Sequence, residues 1–224
     1  MDIIRVREME KTGILICYGD SNTYGYDPQS FMGTRYPKEV RWTGIVGRES
    51  GWKVKNYGLN GRTIPQNESQ IQAVIDIVHK YGQEEIPVLF LVMLGTNDLL
   101  TDALADAGKT AEKMGYFLER IMQAESVRRE KVSVWLIAPP ILKPGSWIEN
   151  DRQITESERL GERLALLAKR LKITFTDAGK WELPAVYDGV HLSEEGHRRF
   201  AEEIIKDFLK KKGKEYENIG HLPE

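Results

Sequence analysis

The sequence predicts an α/β protein built as a three-layer α/β/α sandwich around a central five-stranded parallel sheet. Short apolar runs alternate along the chain with longer segments of helical period, which is typical of a parallel sheet covered by helices on both faces. A chain of 224 residues can bury a substantial core and still fold as one unit, because single domains extend to about 250 residues. We therefore expect a single domain over residues 1–224.

Five short segments have the length expected of strands. They are residues 14–18, 53–57, 88–94, 132–138 and 173–176. Two of the segments between them carry apolar residues at helical spacing. These stripes consist of Ile71, Val74, Ile75 and Val78, and of Leu160, Leu164, Leu167 and Leu171. Thr155 and Glu158 have the spacing of a capping box, which predicts that the second of these helices begins near them.

A last helix is expected from about residue 194 to residue 211. Ser193 precedes it as a plausible N-cap, and Phe200, Ile204 and Phe208 lie on one face. The segment after Gly213 shows no clear period. We expect residues 213–224 to be a flexible tail or an oligomer contact.

The charge balance argues against several classes of partner. The chain has 32 basic and 34 acidic residues, and it lacks the extended basic surface that nucleic-acid binding requires. Its first residues are charged, and its longest apolar run, residues 88–94, is too short to span a bilayer. We expect a soluble, cytoplasmic protein with no nucleic-acid or membrane partner.

Cysteine and histidine positions give no sign of a metal site. Cys17 is the only cysteine, so an intrachain disulfide or a cysteine metal cluster is impossible, and its place in the first apolar run predicts a buried thiol. His197 follows His191 by six residues, which suits no common helical metal pair. His79 and His221 are expected on the surface. The sequence thus predicts neither a metal nor another cofactor.

Polar motifs follow four of the five expected strands. GDSNTYG comes after the first, GLNGRT after the second, GTND after the third, and YDGVH after the fifth. In an open parallel sheet, ligands bind outside the carboxyl ends of the strands. These motifs are therefore expected to meet at one edge of the sheet.

The motifs contain the three groups of a hydrolytic triad. A serine hydroxyl becomes nucleophilic when an imidazole takes its proton and a carboxylate holds that imidazole. Taken singly, Ser21 could be a helix N-cap, Gly61 a turn glycine, Asn97 a loop residue, and Asp188 with His191 a surface pair. Their joint occurrence at successive strand ends favours the catalytic interpretation.

The four motifs, in this order, resemble the sequence blocks of the SGNH hydrolases, also called the GDSL esterases and lipases, which have a flavodoxin-like fold. The resemblance implies that Ser21 is the nucleophile and that Asp188 and His191 complete the triad. It also implies an oxyanion hole formed by the backbone N–H groups of Ser21 and Gly61 and by the side-chain amide of Asn97. The motifs span most of the chain.

This resemblance implies a serine esterase that hydrolyses short-acyl carboxylic esters through an acyl-enzyme, with acyl transfer to alcohols as a further activity. GDSNTYGYDP, the stretch 41–44, and GLNGRT with MLGTND are most similar to the arylesterase and acyltransferase branch. Carbohydrate acetylesterase and lysophospholipase activities stay open as alternatives within the family. Homo-oligomers occur in this branch, so the oligomeric state is open as well.

One departure from the family pattern bears on the substrate. Many members have leucine after the nucleophile, whereas this chain has Asn22. A polar side chain at this position, which often borders the acyl site, makes a long-chain lipase less favoured. Tyr24, Tyr26, Thr96 and Val190 also flank the catalytic positions. They are candidates for a small substrate pocket, with loop packing as the alternative.

Three charged residues near the catalytic positions are left out of the triad. Asp20 and Asp98 are expected to cap adjacent backbone amides rather than to transfer protons. Arg62 could contact substrate or be solvated on its loop.

Two functions from other classes compete with hydrolysis. A glycine-containing turn after a first strand can bind a phosphate or a flavin, but Gly19 and Gly25 match neither a P-loop nor a G-x-G-x-x-G motif. A catalytically inactive scaffold is the second, and the intact Ser21, Asn97, Asp188 and His191 argue against it.

Overall fold

The structure is a computed structural model that describes residues 12–32, 34–102 and 104–219. In chain order its elements are β1 (Ile14–Gly19), α1 (Ser21–Tyr24), α2 (Trp42–Ser50), β2 (Lys53–Gly58), α3 (Glu68–Tyr81), β3 (Val88–Met93), α4 (Thr96–Thr101), α5 (Ala107–Gln123), α6 (Glu125–Arg128), β4 (Val132–Ala138), α7 (Asp151–Leu171), β5 (Thr174–Asp177), a short 3₁₀ helix (Ala178–Lys180) and α8 (Glu194–Ile219).

The five strands form one parallel sheet with the order β2-β1-β3-β4-β5. This is the order of flavodoxin-like, doubly wound sheets, and each strand end lies within one residue of its predicted position. Gly19 pairs with Gly58 on one side and with Met93 on the other. The carboxyl ends of β1, β2 and β3 therefore lie at the same level. The predicted fold class is confirmed.

Alternate residues of each strand enter two different cores, because side chains on a strand point to opposite faces. Ile14 and Ile16 belong to the core that α3, α5 and α7 cover. Leu15 and Cys17 belong to the core beneath α2 and α8. Cys17 is buried as predicted, and burial raises the pKa of its thiol far above the usual range. No described helix is both long and apolar enough to cross a membrane.

The prediction that a capping box starts α7 is wrong. The helix begins at Asp151, and the side chain of Asn150 accepts the N–H of Gln153 at 3.3 Å. Thr155 and Glu158 lie inside the helix. The buried face starts earlier than the leucine stripe because polar Gln153 and Ser157 are part of it.

The last helix is longer than predicted. It continues past residue 211 to Ile219, so the expected tail is helical as far as that residue, while residues 220–224 and His221 among them lie outside the described part. Lysine and glutamate dominate residues 210–217. Their helix propensity is high, so the helix can continue where no apolar stripe marks it.

Candidate active site

The candidate site lies where the direction of winding of the sheet reverses, beside the neighbouring strands β1 and β3. Ligands bind at this switch point in open α/β sheets. Ser21 follows β1, Gly61 follows β2, and Asn97 is the second residue of α4, the helix that follows β3. The polar motifs of the sequence thus gather at one edge of the sheet.

Ser21 is the first residue of α1, a single helical turn with tightly specified ends. Asp20 caps it by accepting the N–H of Asn22 at 3.0 Å, and Gly25 ends it with a left-handed φ of 87°. The predicted capping role of Asp20 is confirmed. A Cβ at Gly58 would collide with the backbone N of Tyr24. Glycine there lets the end of β2 approach the turn that carries Ser21.

Ser21, His191 and Asp188 form a continuous line of hydrogen bonds. Ser21 Oγ lies 2.9 Å from His191 Nε2, and His191 Nδ1 lies 2.6 Å from Asp188 Oδ2. A carboxylate can only accept, so Nδ1 carries the proton and Nε2 is left to accept from the serine hydroxyl. All three residues are buried. This arrangement is suited to removing a proton from Ser21.

The Asp188 carboxylate is held in its charged form. Burial raises its pKa, but hydrogen bonds from the side chain and the backbone N–H of His191 and from the N–H of Val190 lower it, and they prevail. The backbone N–H groups of Val190 and His191 reach Asp188 Oδ1 at 2.8 and 2.9 Å. The pKa of Asp188 therefore lies below its ordinary value, and the group stays negative beside the imidazole.

Two aromatic rings pack against the imidazole of His191. The centroids of Tyr26 and Trp147 each lie 4.9 Å from that of His191. Trp147 belongs to the loop after β4, whose backbone donates from Trp147 N to Asp188 O at 3.2 Å. It is 49% exposed, so part of its ring borders the solvent side of the site. The sequence analysis did not find Trp147, because an aromatic residue after a Pro-Gly turn is only a weak signal.

Two of the expected oxyanion-hole residues, Gly61 and Asn97, stand close to each other. Gly61 has a φ of 71°, which favours glycine, and its N–H donates to no group in the described part of the chain. The Asn97 side chain donates to the carbonyl of Arg62, the next residue after Gly61, at 3.0 Å. An amide nitrogen carries two hydrogens. One of them holds the Asn97 side chain in place through Arg62 O, and the other can donate to an oxyanion.

Asn22 is buried, and both ends of its amide are used. Its side chain is 3% exposed, Nδ2 donates to Val190 O at 3.0 Å, and Oδ1 accepts from Leu192 N at 2.9 Å. The polar groups of this side chain therefore bind the backbone on both sides of His191, and its contact with the acyl group stays a prediction.

The other pocket candidates were expected either to contact substrate or to pack within their loops, and their surroundings differ. The Tyr26 ring lies against His191. Thr96 and Val190 are buried, and the guanidinium of Arg35 lies 4.3 Å from the centroid of the Tyr24 ring. Burial and this intramolecular contact favour loop packing for Tyr24, Thr96 and Val190.

Arg62 and Asp98 brace the loop after β2. Arg62 Nη1 donates to Gly19 O at 2.9 Å and to Tyr57 O, and its guanidinium lies 4.2 Å from the Tyr18 ring centroid. Asp98 Oδ2 accepts from Ile64 N at 3.1 Å. Asp98 thus caps a backbone amide as predicted, although that amide belongs to a different loop.

The remaining histidines do not join the hydrogen-bond line. His197 is buried, and its Nδ1 accepts from Trp42 N at 3.5 Å. Burial, with smaller contributions from Arg41 and His191, lowers its pKa to about 3. His79 lies on the exposed side of α3, as expected. Within the described ranges, no three or more His, Cys, Asp or Glu residues are grouped to hold a metal ion.

Asp20→Asn is expected to remove a pH-dependent loss of stability. Burial raises the pKa of Asp20 from 3.8 to about 6. Because the pKa of Asp20 is higher in the folded than in the unfolded protein, protonation of this carboxyl favours folding. This contribution to the free energy of unfolding is fully present below pH 3.8 and is lost as the pH rises through about 6. The amide keeps the acceptor for Asn22 N without ionising. The free energy of unfolding of the variant, relative to wild type, should rise by about 3 kcal/mol between about pH 4 and pH 7, since one pKa unit is worth ~1.36 kcal/mol.

Urea unfolding at several pH values measures this difference. A difference that is constant across the range would show that Asp20 titrates normally.

Comparison with known proteins agrees with the fold and with the sequence blocks. The model of the GDSL-like lipase/acylhydrolase family matches residues 17–199. The chain therefore belongs to the GDSL-like lipase/acylhydrolase family, and it is a carboxylic ester hydrolase. No curated protein matches the chain significantly.

Several solved structures have the same fold. A carbohydrate acetylesterase from Sinorhizobium meliloti is 26% identical, with 89% of this chain and 99% of that chain covered and a TM-score of 0.72. A protein provisionally classed as an arylesterase from Agrobacterium tumefaciens strain C58 is 25% identical, with coverages of 89% and 99% and a TM-score of 0.75. An aryl esterase from M. smegmatis is 23% identical, with coverages of 88% and 99% and a TM-score of 0.71.

Proposed function

We propose that the protein hydrolyses short-acyl carboxylic esters through an acyl-enzyme on Ser21. The observation that carries this proposal is the unbroken line from Asp188 through His191 to Ser21, with contacts of 2.6 and 2.9 Å. Its substrate is a small ester, and the reaction needs no cofactor. Each of the three groups has the partner that its catalytic role requires.

In the first half of the reaction, Ser21 Oγ attacks the carbonyl carbon of the ester while His191 Nε2 takes the hydroxyl proton. Asp188 keeps the imidazole in the required tautomer and stabilises its positive charge. The carbonyl oxygen becomes an oxyanion facing the N–H groups of Ser21 and Gly61 and the Asn97 amide. Loss of one such donor typically costs about 2.7–4 kcal/mol of transition-state stabilisation. The free Gly61 N–H and the fixed Asn97 amide support this assignment.

The oxyanion then re-forms the carbonyl and breaks the bond to the alkoxide, which takes the proton from His191 and leaves the acyl group on Ser21. In the second half, a water molecule attacks this ester while His191 takes its proton. Collapse of the second oxyanion breaks the bond to Ser21 Oγ, which receives that proton from His191 as the acid is released. An alcohol that replaces this water receives the acyl group instead. Acyl transfer therefore requires no residue beyond those used in hydrolysis.

The surroundings of His191 favour a small acyl group. Tyr26 and Trp147 pack directly against the imidazole, so two bulky rings border the contact between Ser21 and His191. One similar structure is that of a carbohydrate acetylesterase. Acetyl esters of phenols or of sugars are thus the favoured substrates, and long-chain lysophospholipids are not.

A series of p-nitrophenyl esters from acetate to palmitate tests this proposal. We expect kcat/KM to be highest for the shortest acyl groups and to fall as the chain lengthens. Mass spectrometry of the enzyme quenched during turnover should place the acetyl group on the peptide that contains Ser21. Rates that increase with chain length would refute the short-acyl assignment, and an acetyl group on another residue would refute the nucleophile.

Comparing aryl acetates with acetylated sugars then separates the two favoured substrates. A higher kcat/KM for acetylated sugars would identify a carbohydrate acetylesterase. Flavin absorbance in the purified protein, together with no ester turnover, would instead favour a binding module.

A further inference from the structure

Asn22 connects the segment that carries Ser21 to the segment that carries His191. Its Nδ2 donates to the carbonyl of Val190 at 3.0 Å, and its Oδ1 accepts from the N–H of Leu192 at 2.9 Å. These two backbone groups lie immediately before and after His191. One side chain thus holds both neighbours of the residue whose imidazole contacts Ser21.

The side-chain type is specific to this task. The amide of asparagine presents one donor and one acceptor side by side, which matches the carbonyl and N–H of an extended segment as a neighbouring strand would. Leucine offers neither group. Asn22 is 3% exposed, so no water replaces these bonds when the amide is removed.

Asn22 is itself firmly held. Its N–H donates to Asp20 Oδ1 at 3.0 Å, and its carbonyl accepts from Trp42 Nε1 at 2.9 Å. Trp42 is completely buried, and its own N–H is directed to His197 of α8. The amide is therefore attached to a rigid base formed by α1, α2 and α8.

The Asp188–His191 pair, in contrast, is internally complete. Asp188 accepts from the backbone and the side chain of His191, three residues later in the same loop. The pair can keep its own geometry while the loop shifts relative to Ser21. The contacts of Asn22 oppose this shift.

We propose that Asn22 is a positioning residue that sets the distance between Ser21 Oγ and His191 Nε2. The inference rests on the proposed function, since it needs Ser21 to be the nucleophile and His191 to be its base. Asn22 contacts neither the ester bond that breaks nor the proton that moves from Ser21 to His191. It acts by keeping the imidazole within hydrogen-bond reach of the hydroxyl.

The expected effect is on the chemical step. A displacement of about 1 Å in a catalytic group can lower the rate about 10²-fold. Asn22→Leu should therefore lower kcat about 10²-fold and change KM little. The low-field proton resonance of the His191–Asp188 hydrogen bond should remain, because that pair does not depend on Asn22.

Asn67→Leu is the matched control. Asn67 caps α3, where its Oδ1 accepts from Gln70 N at 2.9 Å and from Ser69 Oγ at 2.8 Å, and these bonds involve neither the Ser21 turn nor the His191 loop. Both variants should unfold at lower temperature than wild type. Only Asn22→Leu should lose about two orders of magnitude in kcat.

Asn22→Asp provides a rescue by pH. A protonated carboxyl has the donor and the acceptor of the amide, whereas a carboxylate has only acceptors. The ratio of the variant's kcat to that of wild type should rise as the pH is lowered. The ionisable residues of the surrounding segments are Asp20, Arg41, Asp188, His191 and His197. They are common to both proteins, so the ratio isolates the new carboxyl.

These measurements distinguish the two proposals. If Ser21→Ala is inactive while Asn22→Leu keeps kcat within about threefold of wild type, the positioning role is wrong and the proposed function stands. The same conclusion follows if Asn22→Leu raises KM instead of lowering kcat, or if Asn67→Leu loses as much kcat. If Ser21→Ala is as active as wild type, the proposed function itself fails.

Discussion

Replacing Ser21 with alanine is expected to lower kcat for p-nitrophenyl acetate about 10⁴-fold or more, because no other group can form the acyl-enzyme. The serine is buried in a turn whose ends are fixed by Asp20 and Gly25. The variant loses only the hydroxyl, so the fold should be retained. Steady-state hydrolysis and far-UV circular dichroism, measured on the same preparation, check both parts of this prediction.

The chain offers a matched control for this variant. Ser126 Oγ lies 3.2 Å from His79 Nδ1, which makes a second buried serine in contact with an imidazole. No carboxylate among the described residues pairs with His79. Ser126→Ala should therefore leave hydrolysis unchanged. Equal turnover by wild type and Ser21→Ala would show that Ser21 is not the nucleophile.

Asp188→Asn is expected to lower kcat by about 10⁴-fold with little change in KM. The asparagine oxygen can still accept the N–H groups of Val190 and His191, so the loop keeps its shape. Its NH₂ group, however, faces His191 Nδ1 and donates to it. The imidazole then carries its proton on Nε2, where it cannot accept the proton of Ser21.

The comparison for this variant is Asp106→Asn. Asp106 caps α5 by accepting the N–H of Lys109 at 2.8 Å and lies outside the site. Its replacement should leave kcat intact. A fully active Asp188→Asn would mean that orientation of His191 does not depend on a carboxylate, and the mechanism would need a different base.

The sequence predicted the fold because most strands are short apolar runs, and because four of the five are followed by a polar motif. Residues 88–94, for example, end next to Gly95 and Asn97, and the structure places that strand end beside Gly19. Parallel strands in register bring their carboxyl ends together, so the positions of Ser21, Gly61 and Asn97 followed from the strand assignments. Local pattern and topology agree in this part of the chain.

Other features depend on contacts that no local pattern records. Trp147 reaches His191 because the backbone of the loop after β4 donates hydrogen bonds to residues 187–189, which lie just before His191 in the chain. The role of Asn22 requires two backbone groups about 170 residues away. The start of α7 was misplaced for a related reason, since its buried face includes Gln153, a residue whose burial cannot be predicted from its type.

The contact between Ser21 and His191 joins residues that are 170 positions apart. A ribosome releases Ser21 long before His191 emerges, so a partly synthesised chain has its serine but no base. On the proposed mechanism, ester hydrolysis can begin only once the segment that carries His191 has docked beside the first strand. The appearance of activity during refolding would therefore time the closing of a 170-residue loop.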